Sequence, residues 1–161
     1  MIMRKFFVFS MCVVCMVLVS CGTHKTSAYV DFETKVIGSE LDGSYTLRVS
    51  GRGRNAADAY VQAGKQAVYD VMFTLIPVQS GVAEKNLKPL LLEVNAKEKY
   101  EAYVNALLKD NGEYLEYMSM KEKRSLSSSY SKTNAQTVCV TTVCVYRNKL
   151  RERLVKDGII K

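Results

Sequence analysis

Residues 45–75 decide the fold: Tyr45-Thr46-Leu47-Arg48-Val49-Ser50-Gly51-Arg52-Gly53-Arg54, then Asn55, then Ala56-Ala57-Asp58-Ala59 and on to Val71-Met72-Phe73-Thr74-Leu75. Strand alternation sets Leu47, Val49, Gly51 and Gly53 on one face and Arg48, Ser50, Arg52 and Arg54 on the other. Asn55 suits a helix N-cap, and Asp58 in the first turn favours the positive end of the helix dipole. The spacing predicts a helix from Ala56 to about Leu75, ending before Pro77. Its small residues, Ala56, Ala59, Ala63, Gly64 and Ala67, recur at intervals of three and four and share one face. Val68, Val71, Met72 and Leu75 widen that stripe. A helix faced with alanine can lie close against a strand that carries Gly51 and Gly53, so those glycines have a packing explanation.

Working outward, Tyr29 to Ile37 is rich in β-branched and aromatic residues and reads as a strand. Gly38 and Asp42-Gly43 join it to the strand Ser44 to Gly53 as a hairpin. Residues 77–94 read as an irregular excursion around Ser80-Gly81, Pro89 and the apolar Leu90-Leu91-Leu92. A second helix is expected after Asn95, with Glu98 three residues on as a capping-box partner. Tyr100, Tyr103, Val104, Leu107 and Leu108 form its apolar face, and Asn111-Gly112 ends it. Two strands follow, Tyr117 to Tyr130 and Gln136 to Tyr146, joined at Lys132-Thr133-Asn134. Arg147 to Asp157 reads as a terminal helix with Leu150, Leu154 and Val155 on its apolar stripe. The order β-β-α-α-β-β-α implies an α+β fold, an antiparallel sheet of about four strands with helices packed on one face.

The N-terminus has the grammar of an exported lipoprotein. Arg4 and Lys5 precede an apolar run from Phe6 to Val19, and Leu18-Val19-Ser20-Cys21 matches a lipobox. The run is short of the roughly 20 residues a membrane-spanning helix needs. On this reading residues 1–20 are a signal peptide and Cys21 carries the lipid. Residues 21–28 form a tether, and 29–161 a single domain. An uncleaved anchor and an ordinary signal with an incidental cysteine are the alternatives. The protein has a net charge of +7, of which Arg4 and Lys5 account for two. An excess that mild suits anionic glycan or lipid and argues against nucleic acid.

Of five cysteines, Cys12 and Cys15 fall in the signal and Cys21 takes the lipid. Cys139 and Cys144 lie five positions apart in one strand, on opposite faces and about 16 Å apart. A disulfide spans at most about 7 Å between Cα atoms. Buried free thiols are the expectation, with an intermolecular disulfide left open.

Catalytic equipment is sparse. The single histidine, His24, sits in the tether, so triads and Cys/His zinc sites have no histidine within the domain. Asp58, Asp70, Glu98 and Glu101 are placed on helix surfaces as solvated charges. The chain reads as a non-enzyme without cofactor or metal, and a carboxylate-dependent hydrolase is a remote alternative. The most site-like motif is Gly51-Arg52-Gly53-Arg54-Asn55. A glycine turn entering a helix N-terminus can hold an anion, although no third glycine completes a dinucleotide fingerprint. Arg48, Arg52, Arg54 and Asn55 are therefore the candidate residues for an anionic glycan, a phosphate group or a protein partner. Tyr100, Tyr103, Tyr114 and Tyr117 form an aromatic cluster that serves either the core or a binding face. Lys121, Lys123 and Arg124 guard a strand that could be an edge.

The block Leu47 to Phe73 resembles the small domain of several Gram-negative envelope lipoproteins and the N-terminal region of the flagellar protein FlgT. This resemblance covers about a fifth of the chain. It implies a short antiparallel sheet with helices packed on it, acting in assembly and interaction rather than catalysis. The whole layout, with its ending Arg147-Asn148-Lys149-Leu150 through Asp157-Gly158-Ile159-Ile160-Lys161, looks like envelope lipoproteins of Bacteroides-type bacteria. That likeness implies attachment to the outer membrane. Gly22 lacks the aspartate of inner-membrane retention, and no acidic run associated with surface export follows Cys21, so a periplasmic orientation is implied. The expected function is that of a lipid-anchored, non-enzymatic interaction or assembly factor. The alternative is a module binding an anionic ligand at the Gly51–Asn55 turn.

Overall fold

The computed structural model describes residues 33–79, 86–121, 129–133 and 136–160. Cys21, His24, the start of the strand expected from Tyr29, and Lys123 and Arg124 lie outside them. The elements are β1 (Lys35–Ser39), β2 (Tyr45–Gly53), α1 (Ala56–Phe73), β3 (Ile76–Pro77), β4 (Asn86–Leu87), α2 (Ala96–Lys99) and α3 (Glu101–Leu107). A 3-10 turn at Glu113–Glu116 follows, then β5 (Met118–Met120), β6 (Ser129–Thr133), β7 (Gln136–Val145) and α4 (Arg147–Lys156). The fold is α+β, with the helices on one face of an antiparallel sheet, and the order roughly follows expectation; the excursion after α1 adds the short antiparallel pair β3–β4.

The sheet is four positions wide. β2 pairs along its whole length with β7, from Tyr45 opposite Val145 to Gly53 opposite Thr137. β1 lies on the other side of β2. Beyond β7, β6 pairs with its first half and β5 with its last three residues. The long strand expected over Tyr117 to Tyr130 is therefore corrected to two short ones along one edge. β1 is flanked in turn by Val78, which bridges Val36, and by the Gln79 N–H, which donates to the Val36 carbonyl at 2.9 Å. The chain thus covers its own strand edge there. The β1–β2 turn is held by Asp42, whose carboxylate accepts from the Ser44 N–H at 2.9 Å and the Ser44 hydroxyl at 2.6 Å. Those bonds hold the Asp42 carboxyl below the usual carboxylate range.

α1 lies on the Leu47–Val49–Gly51 face. A Cβ on Gly51 would sit 2.2 Å from the Ala59 carbonyl oxygen, and one on Gly53 would sit 2.4 Å from the Ala59 nitrogen. The helix backbone occupies the space that any side chain would need, as the alanine stripe implies. Val68, Val71 and Met72 are fully buried beside this contact, each stabilising the fold by about 1.5–3 kcal/mol relative to exposure. Leu90 and Leu91 donate their N–H groups to the Val71 and Met72 carbonyls at 3.1 and 2.9 Å. The excursion after β3 thereby satisfies carbonyls that a helix end leaves unpaired. Leu91 is buried while Leu92 is exposed.

Two local expectations are corrected. Asn95 has φ 61°, in the left-handed region, and its side chain caps nothing. A residue in that conformation directs its carboxamide away from the first turn, so the capping box does not form. The second helix is also broken at Tyr100 into α2 and α3. α4 follows expectation, with Leu150 and Leu154 fully buried. Gly158 ends it at φ 70°, and the Ile159 N–H returns to the Leu154 carbonyl at 2.9 Å as a left-handed glycine cap allows.

Candidate functional site

A cleft of about 650 Å³ opens along the β1 flank of α1. Gln62, Gln66 and Tyr69 stand at i, i+4 and i+7 and form its helical wall. Opposite them are Glu33 and Thr34, which lead into β1, and Ser50, Gly51 and Arg52 of β2. At its base Asp70 is buried, only 6% exposed.

Asp70 corrects the placement of that residue on a helix surface. Counting back from it, Ala67 and Ala63 lie three and seven residues earlier, so it continues the sheet-facing stripe. Its carboxylate accepts from the Thr34 hydroxyl, from Gln66 Nε2 at 2.8 Å and from the Thr74 hydroxyl at 3.4 Å. No ion pair to Asp70 is present among the described residues. Three neutral donors therefore meet the requirement that a buried charge be hydrogen-bonded, and they fix the rotamers of Thr34 and Gln66 at the cleft wall. Lys65 turns to the other end of the cleft. Its ammonium meets Asp110 at 2.5 Å and lies 5.7 Å from the centre of the Tyr114 ring. This pair holds the Asp110 carboxyl below its ordinary range.

The glycine turn is arranged differently from an anion cradle. Gly51 and Gly53 are paired with Cys139 and Thr137 of β7 and covered by α1. The Asp58 N–H donates to Asn55 Oδ1 at 2.9 Å, and the Arg54 N–H donates to Asp58 Oδ2 at 3.0 Å. Asn55 and Asp58 thus cap the helix reciprocally, and a carboxylate already occupies the place where a bound anion would sit. Arg48 and Arg52 are exposed on the face of β2 turned away from α1, with Lys35 opposite Arg48 in the register. The Arg54 side chain is 94% exposed beyond the strand end. The structure therefore brings Arg48 and Arg52 onto one face and separates Asn55 from them.

The strands of the main sheet are basic, and so is α4. The five strands of the main sheet carry Lys35, Arg48, Arg52 and Lys132 and no acidic residue. The acidic residues among those described lie in helices, turns and connections.

The tyrosine cluster fastens α3 to α4. The Tyr103 hydroxyl donates to Asp157 at 2.7 Å, Arg153 Nε donates to the same carboxylate at 2.6 Å, and Arg153 also pairs with Glu113 at 2.8 Å. Burial, then the bond to Asp157, pushes the Tyr103 phenol up to about 12. Tyr114 and Tyr117 are core residues, 3% and 4% exposed. Cys139 and Cys144 are buried thiols not joined in a disulfide, as their spacing implies. Among the described residues, no group of three acidic, cysteine or histidine side chains is placed to hold a metal, and no helix is long and apolar enough to cross a membrane.

No family model, curated protein or solved structure matches the chain. A functional reading therefore has to come from this chain's own chemistry. Sequence reasoning singled out the arginines and missed the cleft. The available signal was Asp70 itself, a carboxylate in phase with Ala63 and Ala67 on the buried face.

Proposed function

We propose that the protein is a lipid-anchored component of the bacterial cell envelope, acting by association rather than catalysis as an interaction or assembly factor at the periplasmic side of the outer membrane. The observation that carries this reading is the basic sheet face, whose strands hold no acidic residue. Arg48 and Arg52 stand exposed on the sheet face away from α1, a surface suited to a protein partner with an acidic patch. The segment Leu18-Val19-Ser20-Cys21 supports the anchor.

Two experiments test the reading separately. Membrane fractionation of a Cys21→Ala variant should show release from the membrane, and retention there would overturn the anchor. A photo-crosslinking residue placed at Arg48 should capture a discrete partner. That product should disappear with Arg52→Glu and persist when Arg151 on α4 is changed instead. Capture indifferent to Arg52→Glu would remove the basic face from the proposal.

A further inference from the structure

We infer that the cleft beside α1 binds a neutral saccharide, with Gln62, Gln66 and Tyr69 as its contact residues and Asp70 as the residue that positions them. The cleft borders the basic sheet face at Arg52, and the inference stands whether or not that face has a partner.

The argument runs by elimination across ligand chemistries. Size admits a small ligand, since the cleft measures about 650 Å³ and such sites commonly span roughly 300–1,000 Å³. An apolar ligand would gain contact with Leu75, Pro77 and Leu108 but strip water from the carboxamides of Gln62 and Gln66 without replacing their hydrogen bonds. A cation would be drawn to Asp70, but both of its carboxylate oxygens already accept from Thr34, Gln66 and Thr74. An anion would meet two carboxylates, Glu33 and the buried Asp70, against the single guanidinium of Arg52, while the Lys65 ammonium is committed to Asp110.

A ligand dense in hydroxyl groups fits what is left. Each carboxamide offers two donors and one acceptor, and each hydroxyl of the ligand both donates and accepts. Gln66 gives one Nε2 hydrogen to Asp70 and keeps its oxygen and second N–H for the cleft. Gln62 repeats this chemistry one helical turn away, at a pitch of about 5.4 Å. Tyr69 adds ring surface at the next turn, and its partner Phe73, 4.9 Å between centroids, steadies it. Asp70 acts through Gln66 and Thr34 and need not touch the ligand, so the donors stand ready before binding.

The test uses the purified full-length protein in a detergent without a sugar headgroup. Cellotetraose and the tetramer of N-acetylglucosamine are the probes, followed by isothermal titration and by amide chemical shifts. Saturable binding of at least one probe is expected, with shifts centred on residues 62–70. Gln62→Ala/Gln66→Ala should weaken it by about tenfold or more through lost hydrogen bonds, while Arg54→Ala leaves it unchanged. Gln66 is exposed and Gln62 only half-buried, so the double variant keeps the fold, as its unchanged melting temperature will confirm. Asp70→Asn should weaken binding while both glutamines are still present, which identifies positioning as its role. No binding of either probe at millimolar concentration overturns the inference. So does binding indifferent to the glutamine pair, or competition by inorganic phosphate.

Discussion

Replacing Gly51 with alanine tests the central contact of the fold. The added Cβ would lie 2.2 Å from both the Ala59 carbonyl oxygen and the Ala63 nitrogen, where ordinary contact begins at 3.4 Å. Both are backbone atoms, so no side chain can swing aside and α1 must retreat by about 1.2 Å. A gap of about 1 Å forfeits up to half of the dispersion energy of each atom pair it opens. Ala63, Ala67 and Val71 all sit on the retreating face. Overpacking typically costs about 1–3 kcal/mol, and this site belongs at the upper end, near 3 kcal/mol. For a domain of this size that lowers Tm by about 10 °C. Gly38→Ala is the control, because its nearest neighbour would be Thr46 Cβ at 3.7 Å, an ordinary contact. Both changes restrict the unfolded chain alike, by about 0.4–1 kcal/mol, so their difference isolates the close approach. The measurement is urea and thermal unfolding of both variants by far-UV circular dichroism. If Gly51→Ala melts together with Gly38→Ala, the helix–strand contact is not as tight as described and the account of the glycines fails.

Three further outcomes are expected. Asn55→Ala removes the acceptor for the Asp58 N–H and should cost about 1 kcal/mol, read from the urea midpoint at constant slope. Tyr103 has a folded value of about 12 against an ordinary 10, so the folded state holds its proton more tightly. Its contribution is whole below pH 10 and is lost as pH rises through 12, and Tyr103→Phe should flatten that part of an alkaline stability profile. A profile unchanged by the substitution would separate Tyr103 from alkaline unfolding. Cys139 and Cys144, both buried, should react with a chromogenic thiol reagent only in step with unfolding. Rapid labelling of the native protein would show that the strand opens locally.

The strand–helix unit was legible because one constraint had one solution. Gly51 and Gly53 on the apolar side of an alternating strand, facing Ala59 and Ala63, have no other tight arrangement. The cap at Asn55 followed from purely local chemistry. At Asn95 the same local signal failed, because the preceding chain enters with a left-handed residue that no nearest-neighbour pattern specifies. The split of the strand expected over Tyr117 to Tyr130 was equally hidden, since it depends on which part of β7 each piece meets. The cleft was obscured by a rule applied too broadly. Charged residues on helices are generally solvated, and Asp70 escapes the rule through Thr34, thirty-six residues away, a partner visible only after folding.

The position of β7 has a consequence for how the molecule comes into being. Like β2 it has partners on both sides, and its pairs with β2 join residues from 84 to 100 positions apart. During synthesis the hairpin of β1 and β2, with α1 already available to cover it, must wait for almost the whole chain before its inner edge is closed. Contacts so remote in sequence make for slow folding, on the order of milliseconds to seconds. Refolding from urea should show sheet and tertiary signals arriving together, and an early hairpin phase would contradict this. The domain is consequently assembled in one late act, and a chain interrupted shortly before its end would lack its middle rather than its margin.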